Sequence, residues 1–103
     1  MDKNWLNIEQ DGEDVTLTRC SMEAQGKIVI PNNVTCINQA AFMFCKHVTH
    51  VVIPESVKKI GMGVFFRCDN LTHVEIPESL EHEIKNAQVF LGCGCRNINI
   101  LYY

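Results

Sequence analysis

The chain has 103 residues, 47% of them apolar and 20% charged, with a formal net charge of −3. That length suits one small domain rather than two with separate cores, and the balance excludes a disordered or fibrous chain. Nine cationic against twelve anionic side chains exclude a general electrostatic pull toward nucleic acid or an anionic membrane. No apolar stretch reaches the ~18 residues of a bilayer span, since even the run from Ala40 to Cys45 stops at Lys46.

The chain starts Met1-Asp2-Lys3-Asn4-Trp5, without the basic start and long apolar centre of a secretory signal. The expected location is cytoplasmic if the chain is complete as given, and the cell surface or secreted if it is a fragment. Trp5, Leu6 and Ile8, then Asp11-Gly12 as a turn, then Val15-Thr16-Leu17 read as an N-terminal hairpin. Val15 and Leu17 are expected to supply the strand stacked before Ile28 and Ile30.

A fixed period follows. Pro31, Pro54 and Pro77 are spaced by 23 residues, and each is preceded by Ile: Ile30, Ile53 and Ile76. Ile28, Val51 and Val74 keep the step, as do Val34, Val57 and Leu80. Ile37 pairs with Ile60, Phe42 with Phe65, Cys45 with Cys68 and Val48 with Leu71. The period-2 alternation before each proline predicts a short strand buried on one face, ended by a residue with no N–H for the next ladder bond. A polar turn and a return arm follow, the arm reading as a short helix, a 3₁₀ turn or a second brief strand. Asn38 and Gly61 suit a corner with positive φ.

The third unit starts in register at His73 and then drifts, because Ile84 comes one residue late and Phe90 two. The repeat cysteine is split, Cys93 closing one half of the pattern and Cys95 opening the next. The chain ends in Asn99-Ile100-Leu101-Tyr102-Tyr103, in the place of a further strand. The family register turns Leu101 and Tyr103 inward, whereas simple alternation from Ile98 buries Ile100. One coil cannot bury its own Ile, Val and Phe, but stacked coils share a continuous core.

The residues Ile-Pro-x-x-apolar-x-x-Ile-x-x-x-Ala/Val-Phe-x-x-Cys, present as Ile30 to Cys45 and Ile53 to Cys68, resemble the BspA-type leucine-rich repeat over roughly residues 14 to 103. The resemblance implies a right-handed, β-rich solenoid and, for many members, cell-surface adhesion or protein binding. The expected fold is therefore an α/β, β-rich leucine-rich-repeat solenoid. Its short parallel strands stack in one sheet, with short helical or 3₁₀ return arms and an N-terminal β-hairpin cap. Residues 1–103 form one domain: a cap over 1–26, repeats over 27–49, 50–72 and 73–98, and a terminal strand over 99–103.

Alternation also fixes which side chains point outward. Lys27 and Val29, His50 and Val52, and His73 and Glu75 share the outer face of the sheet, about one strand separation (~4.8 Å) apart. They are the expected partner-binding strip of a non-enzymatic module of adhesion or scaffold type, with a protein as partner. Ile100, Leu101, Tyr102 and Tyr103 are the expected self-association edge of a homo-oligomer, which makes a structural or self-assembling segment of a larger array the alternative reading. A thiol- or metal-dependent protein using Cys36, Cys93 or Cys95 is the second. His50 and His73 with Glu75 fall short of a designed metal site, and no phosphate loop, His-Glu-x-x-His or Gly-x-Ser-x-Gly is present. No catalytic residue, metal or cofactor is therefore assigned. Cys45, Cys68 and one of Cys93 and Cys95 read as core packing. Cys36, whose repeat-mate is Lys59, reads as the reactive thiol, and all six cysteines are expected to be reduced.

Overall fold

A computed structural model describes residues 4–103; Met1 to Lys3, the first residues of the expected N-terminal cap, lie outside it. The chain opens with β1 (Leu6–Asp11) and β2 (Asp14–Cys20), joined antiparallel by a two-residue turn. Gly12, at φ 63°, is the first central residue of that turn, where positive φ matches the twist of the strands. Then follow β3 (Gln25–Val29), β4 (Cys36–Ile37), β5 (His47–Val52), β6 (Lys59–Ile60), β7 (His73–Ile76), helix α1 (Glu81–Asn86) behind a 3₁₀ turn at Glu78–Leu80, and β8 (Asn99–Tyr102).

These strands form two sheets rather than one, ordered β1-β2-β4-β6 and β3-β5-β7-β8. Every pairing except that of β1 with β2 is parallel, as a chain returning to the same side after each circuit requires. The return arms of the first two units are the two-residue strands β4 and β6, and the helical arm occurs in the third unit, where α1 stands in place of a strand beside β6. The N-terminal hairpin also caps a different sheet from the one expected. A turn closed by the Ala24 amide on the Ser21 carbonyl (3.0 Å) separates β2 from β3, so they occupy successive sides of one circuit. β2 therefore pairs with β4, Thr16 beside Cys36 and Leu17 beside Ile37, and β3 remains the edge of its own sheet.

Between the sheets the repeat positions stack in columns. Leu17, Ile37 and Ile60 form one, and Ile28, Val51 and Val74 another, all buried. A third runs through Phe42, Phe65 and Phe90, with ring centroids 5.4 and 5.3 Å apart. No polar or charged side chain among the described residues is buried, so the apolar column is the cohesive element. A further line of backbone bonds joins the turns: the amides of Ala40, Phe42 and Phe44 donate to the carbonyls of Met62, Val64 and Phe66. Those of Gly63 and Arg67 repeat this toward Gln88 and Gly92.

The corner residues with positive φ are Ala40, Gly63 and Gln88, and then Phe44, Arg67 and Gly92; Asn38 and Gly61 are not among them. At the C-terminal end His73 pairs with Asn99, a step of 26 residues. Ile100 and Tyr102 then stand beside Val74 and Ile76 on the inward register, which follows alternation and turns Leu101 outward, but Ile100, on the last strand of the stack, is 37% exposed rather than buried.

A candidate protein-binding face on the second sheet

Parallel pairing carries the outward residues of β3, β5, β7 and β8 into two rows. Lys27, His50, His73 and Asn99 form the first; Val29, Val52, Glu75 and Leu101 form the second. Lys27, Val29 and His73 are exposed, while His50, Val52 and Glu75 are half-buried by their neighbours. All six sequence-derived residues thus share one face. Asn99 and Leu101 extend it, and the sequence hid them behind the 26-residue step.

The imidazoles of His50 and His73 stack, centroids 4.4 Å apart and planes within 2°. The repeated Thr-His pair fixes both rings, since the Thr49 hydroxyl lies 2.9 Å from His50 Nδ1 and the Thr72 hydroxyl 2.8 Å from His73 Nδ1. The Thr72 hydroxyl donates its one proton to the Thr49 carbonyl at 3.1 Å, so His73 Nδ1 must carry the hydrogen of the Thr72 contact. The pair acquires no third ligand: among the described residues no three His, Cys, Asp or Glu side chains stand close enough to hold a metal ion.

A second exposed apolar feature lies on the turn side, where Phe44 and Phe66 meet edge to face at 5.8 Å; Met62 and Leu91 are exposed as well. Sequence reading missed it because Phe44 and Phe66 are not repeat-mates; Phe44 matches Arg67. At the corner after it, an open groove of about 780 Å³ is lined by Arg67, Asp69, Asn70, Gly94, Arg96 and Asn97 among others.

Cys20, Cys45, Cys68 and Cys93 form a column. The Cys45 thiol donates to the carbonyls of Cys20 and Ser21 (3.6 and 3.5 Å) and the Cys68 thiol to that of Phe42 (3.0 Å). Burial first, and the neighbouring Cys45 second, push the Cys68 thiol up to about 12, which removes it from thiolate chemistry near neutral pH. Cys20 is likewise raised, first by its hydrogen bond with Cys45 and then by burial. Cys20, Cys36, Cys45 and Cys68 are free thiols, but Cys93 and Cys95 form a disulfide, which corrects the expectation of six reduced cysteines. The insertion in the third unit places a second cysteine within reach of the column position, Cα atoms 5.2 Å apart, inside the range a bridge requires. Cys36 is half-buried between Thr16 and Lys59.

Stacked parallel strands at a 23-residue step, with a column of core residues and a decorated outer face, define a repeat protein built from leucine-rich units. The model of the BspA type leucine rich repeat region, in six copies, matches residues 16–101, and the chain belongs to that family. Repeat modules of this kind are often used for protein interaction. Neither the curated proteins nor the solved structures contain a match to it. No helix of the described residues is long and apolar enough to cross a membrane.

Proposed function

We propose that the chain is a non-enzymatic protein-binding module of adhesion or scaffold type, a single small solenoid whose contact surface is the outward face of the second sheet. Lys27, Val29, His50, Val52, His73 and Glu75 form that surface. The observation that supports this most is the in-register pairing of a polar row, with two imidazoles held in one orientation, and an apolar row in which Val29 is 59% exposed. Pre-oriented rings lose little side-chain freedom on contact, and apolar area beside them gives a partner something to dehydrate. A photoreactive residue at position 52 should crosslink the partner, and one at Glu13, on the hairpin turn, should not. Replacing His50 and His73 together by Ala should abolish that crosslink with little change in melting temperature. Undiminished partner binding after all six residues are replaced would move the site elsewhere.

A second reading, self-association through Ile100, Leu101, Tyr102 and Tyr103, is favoured by the free edge of β8. The amides of Asn99 and Tyr103 donate to the carbonyls of Thr72 and Ile76 on the β7 side, so the N–H and C=O groups of Ile100 and Tyr102 point away from β7. The hairpin extends the first sheet at the opposite end, which favours pairing of two β8 edges about a twofold axis over head-to-tail growth. Tyr102→Pro deletes an N–H that β7 does not use and should shift sedimentation from dimer to monomer. A wild-type chain that stays monomeric at high concentration overturns this reading.

A further inference from the structure

We propose that Cys93 and Cys95 form a reversible thiol–disulfide exchange site for anionic thiols, with Cys95 as the sulfur attacked and Cys93 as the leaving and resolving sulfur. The bridge spans a single residue, Gly94. A disulfide stabilises mainly by closing a loop in the unfolded chain, and the effect shrinks with the loop. This one joins no two units and fastens neither sheet, although Cys45 and Cys68 stand in adjacent units and remain thiols. A structural staple is the role it fits least.

Access to the two sulfurs is unequal. Cys93 is 5% exposed and Cys95 is half-buried, so an incoming thiolate meets Cys95 first. In the exchange the new bond forms between the incoming sulfur and Cys95 Sγ. The Cys93–Cys95 bond breaks with its electron pair on Cys93, and that thiolate takes a proton from water. A second thiolate attacks the incoming sulfur of the mixed disulfide, and the bond to Cys95 breaks with its electron pair on Cys95, which takes a proton from water. Two external thiols are thereby oxidised to one disulfide, and the bridge is reduced to two thiols. In the reverse direction the Cys93 thiolate attacks Cys95 of the mixed disulfide, re-forms the bridge and expels the external thiolate.

The fold has a place for the reduced state. Cys93 Sγ lies 3.9 Å from the Cys68 carbonyl, the position from which Cys68 donates to Phe42 and Cys45 to Cys20. A free Cys93 thiol therefore continues an existing column rather than leaving a donor unpaired. Both redox states fit the same core, as a reversible couple requires.

The groove beside Gly94 supplies the ligand chemistry. Arg67 is ion-paired with Asp69 at 3.3 Å, but Arg96, adjacent to Cys95, makes no ion pair among the described residues. The one carboxylate of the groove wall, Asp69, is held by Arg67, and Asn70 already donates to the Lys46 carbonyl at 2.8 Å. A carboxylate-bearing thiol therefore finds its cation in Arg96, the residue that follows the sulfur it attacks, with Asn97 beside it.

The test is a redox titration of the full chain in buffers of reduced and oxidised glutathione, with thiols trapped by maleimide and located by mass spectrometry. The expected result is reduction without unfolding: Cys93 and Cys95 gain label while Cys20, Cys45 and Cys68 stay unlabelled, and oxidised glutathione restores the bridge. Cys93→Ala should hold one glutathione on Cys95, and Cys95→Ala should hold none on Cys93. Arg96→Glu should slow reduction by glutathione about tenfold relative to reduction by the cationic thiol cysteamine. Reduction only under denaturing conditions overturns the proposal, as does failure to reoxidise. Equal slowing for both thiols overturns the choice of ligand. The wild-type titration needs no substitution, so it decides the exchange even where a variant fails to fold.

Discussion

Gly61 has an ordinary φ, yet a Cβ placed on it would lie 2.5 Å from the backbone nitrogen of Gln39 and 2.7 Å from its Cα. It is glycine because one turn of the chain runs against the turn before it, and backbone cannot yield as a side chain can. Gly61→Ala should cost on the order of 1 to 3 kcal/mol by this overpacking, measured by urea denaturation; an unchanged midpoint would mean that the turns separate freely. The sequence makes this glycine visible and misleads about its reason, because positive φ falls on Ala40, Phe44, Arg67 and Gln88 as well as on Gly63 and Gly92. Those four residues lack the glycine signal that marks such a position. All four sit at hydrogen-bonded junctions between units, where the amides of Ala40, Phe44 and Arg67 donate to the next turn and the Gln88 carbonyl accepts from Gly63, and those bonds hold a conformation the side chains disfavour.

At the scale of elements, β8 is fastened at its end by Tyr103. Its backbone bonds to β7 through Ile76 and to the following segment through Glu78, and its hydroxyl donates to the Ile53 carbonyl. Loss of water around the phenol, and then the carboxylates of Glu55 and Glu75, raise its pKa above the ordinary tyrosine value. The folded state thus prefers the neutral phenol. Its contribution is complete below the unfolded pKa of about 10 and disappears as pH rises through the higher folded value. Melting temperature followed from about pH 9 upward should fall more steeply in the wild type than in Tyr103→Phe, which lacks the titrating group; parallel curves would show that the phenol makes no such contact. The sequence shows where β3, β5 and β7 lie, since alternation ending at Ile-Pro is a local signal. It does not show β4 and β6, because two residues carry no period. Nor does it show which sheet the hairpin joins, since β2 meets β4 across some twenty residues of chain.

On the scale of the whole molecule the outward face was legible because direction follows from alternation once the inward residues are known. The groove near Arg96 and the Cys93–Cys95 disulfide were not, because both arise where the third unit departs from the repeat, and a period describes only what recurs. The column of Phe42, Phe65 and Phe90 has a bearing on cooperativity. In a chain of units that touch only their neighbours, all-or-none melting depends on coupling between adjacent units rather than on any one unit's own stability. Phe65 is the ring in contact with both of the others, so Phe65→Ala should do more than remove ~3 to 5 kcal/mol of core packing; it should let the two ends melt separately. The chain carries its own reporters for this, a single tryptophan at position 5 and its two tyrosines at 102 and 103. Urea curves from Trp5 fluorescence and tyrosine absorbance should coincide in the wild type and separate in the variant, and curves that still coincide would place the coupling in the backbone ladders instead.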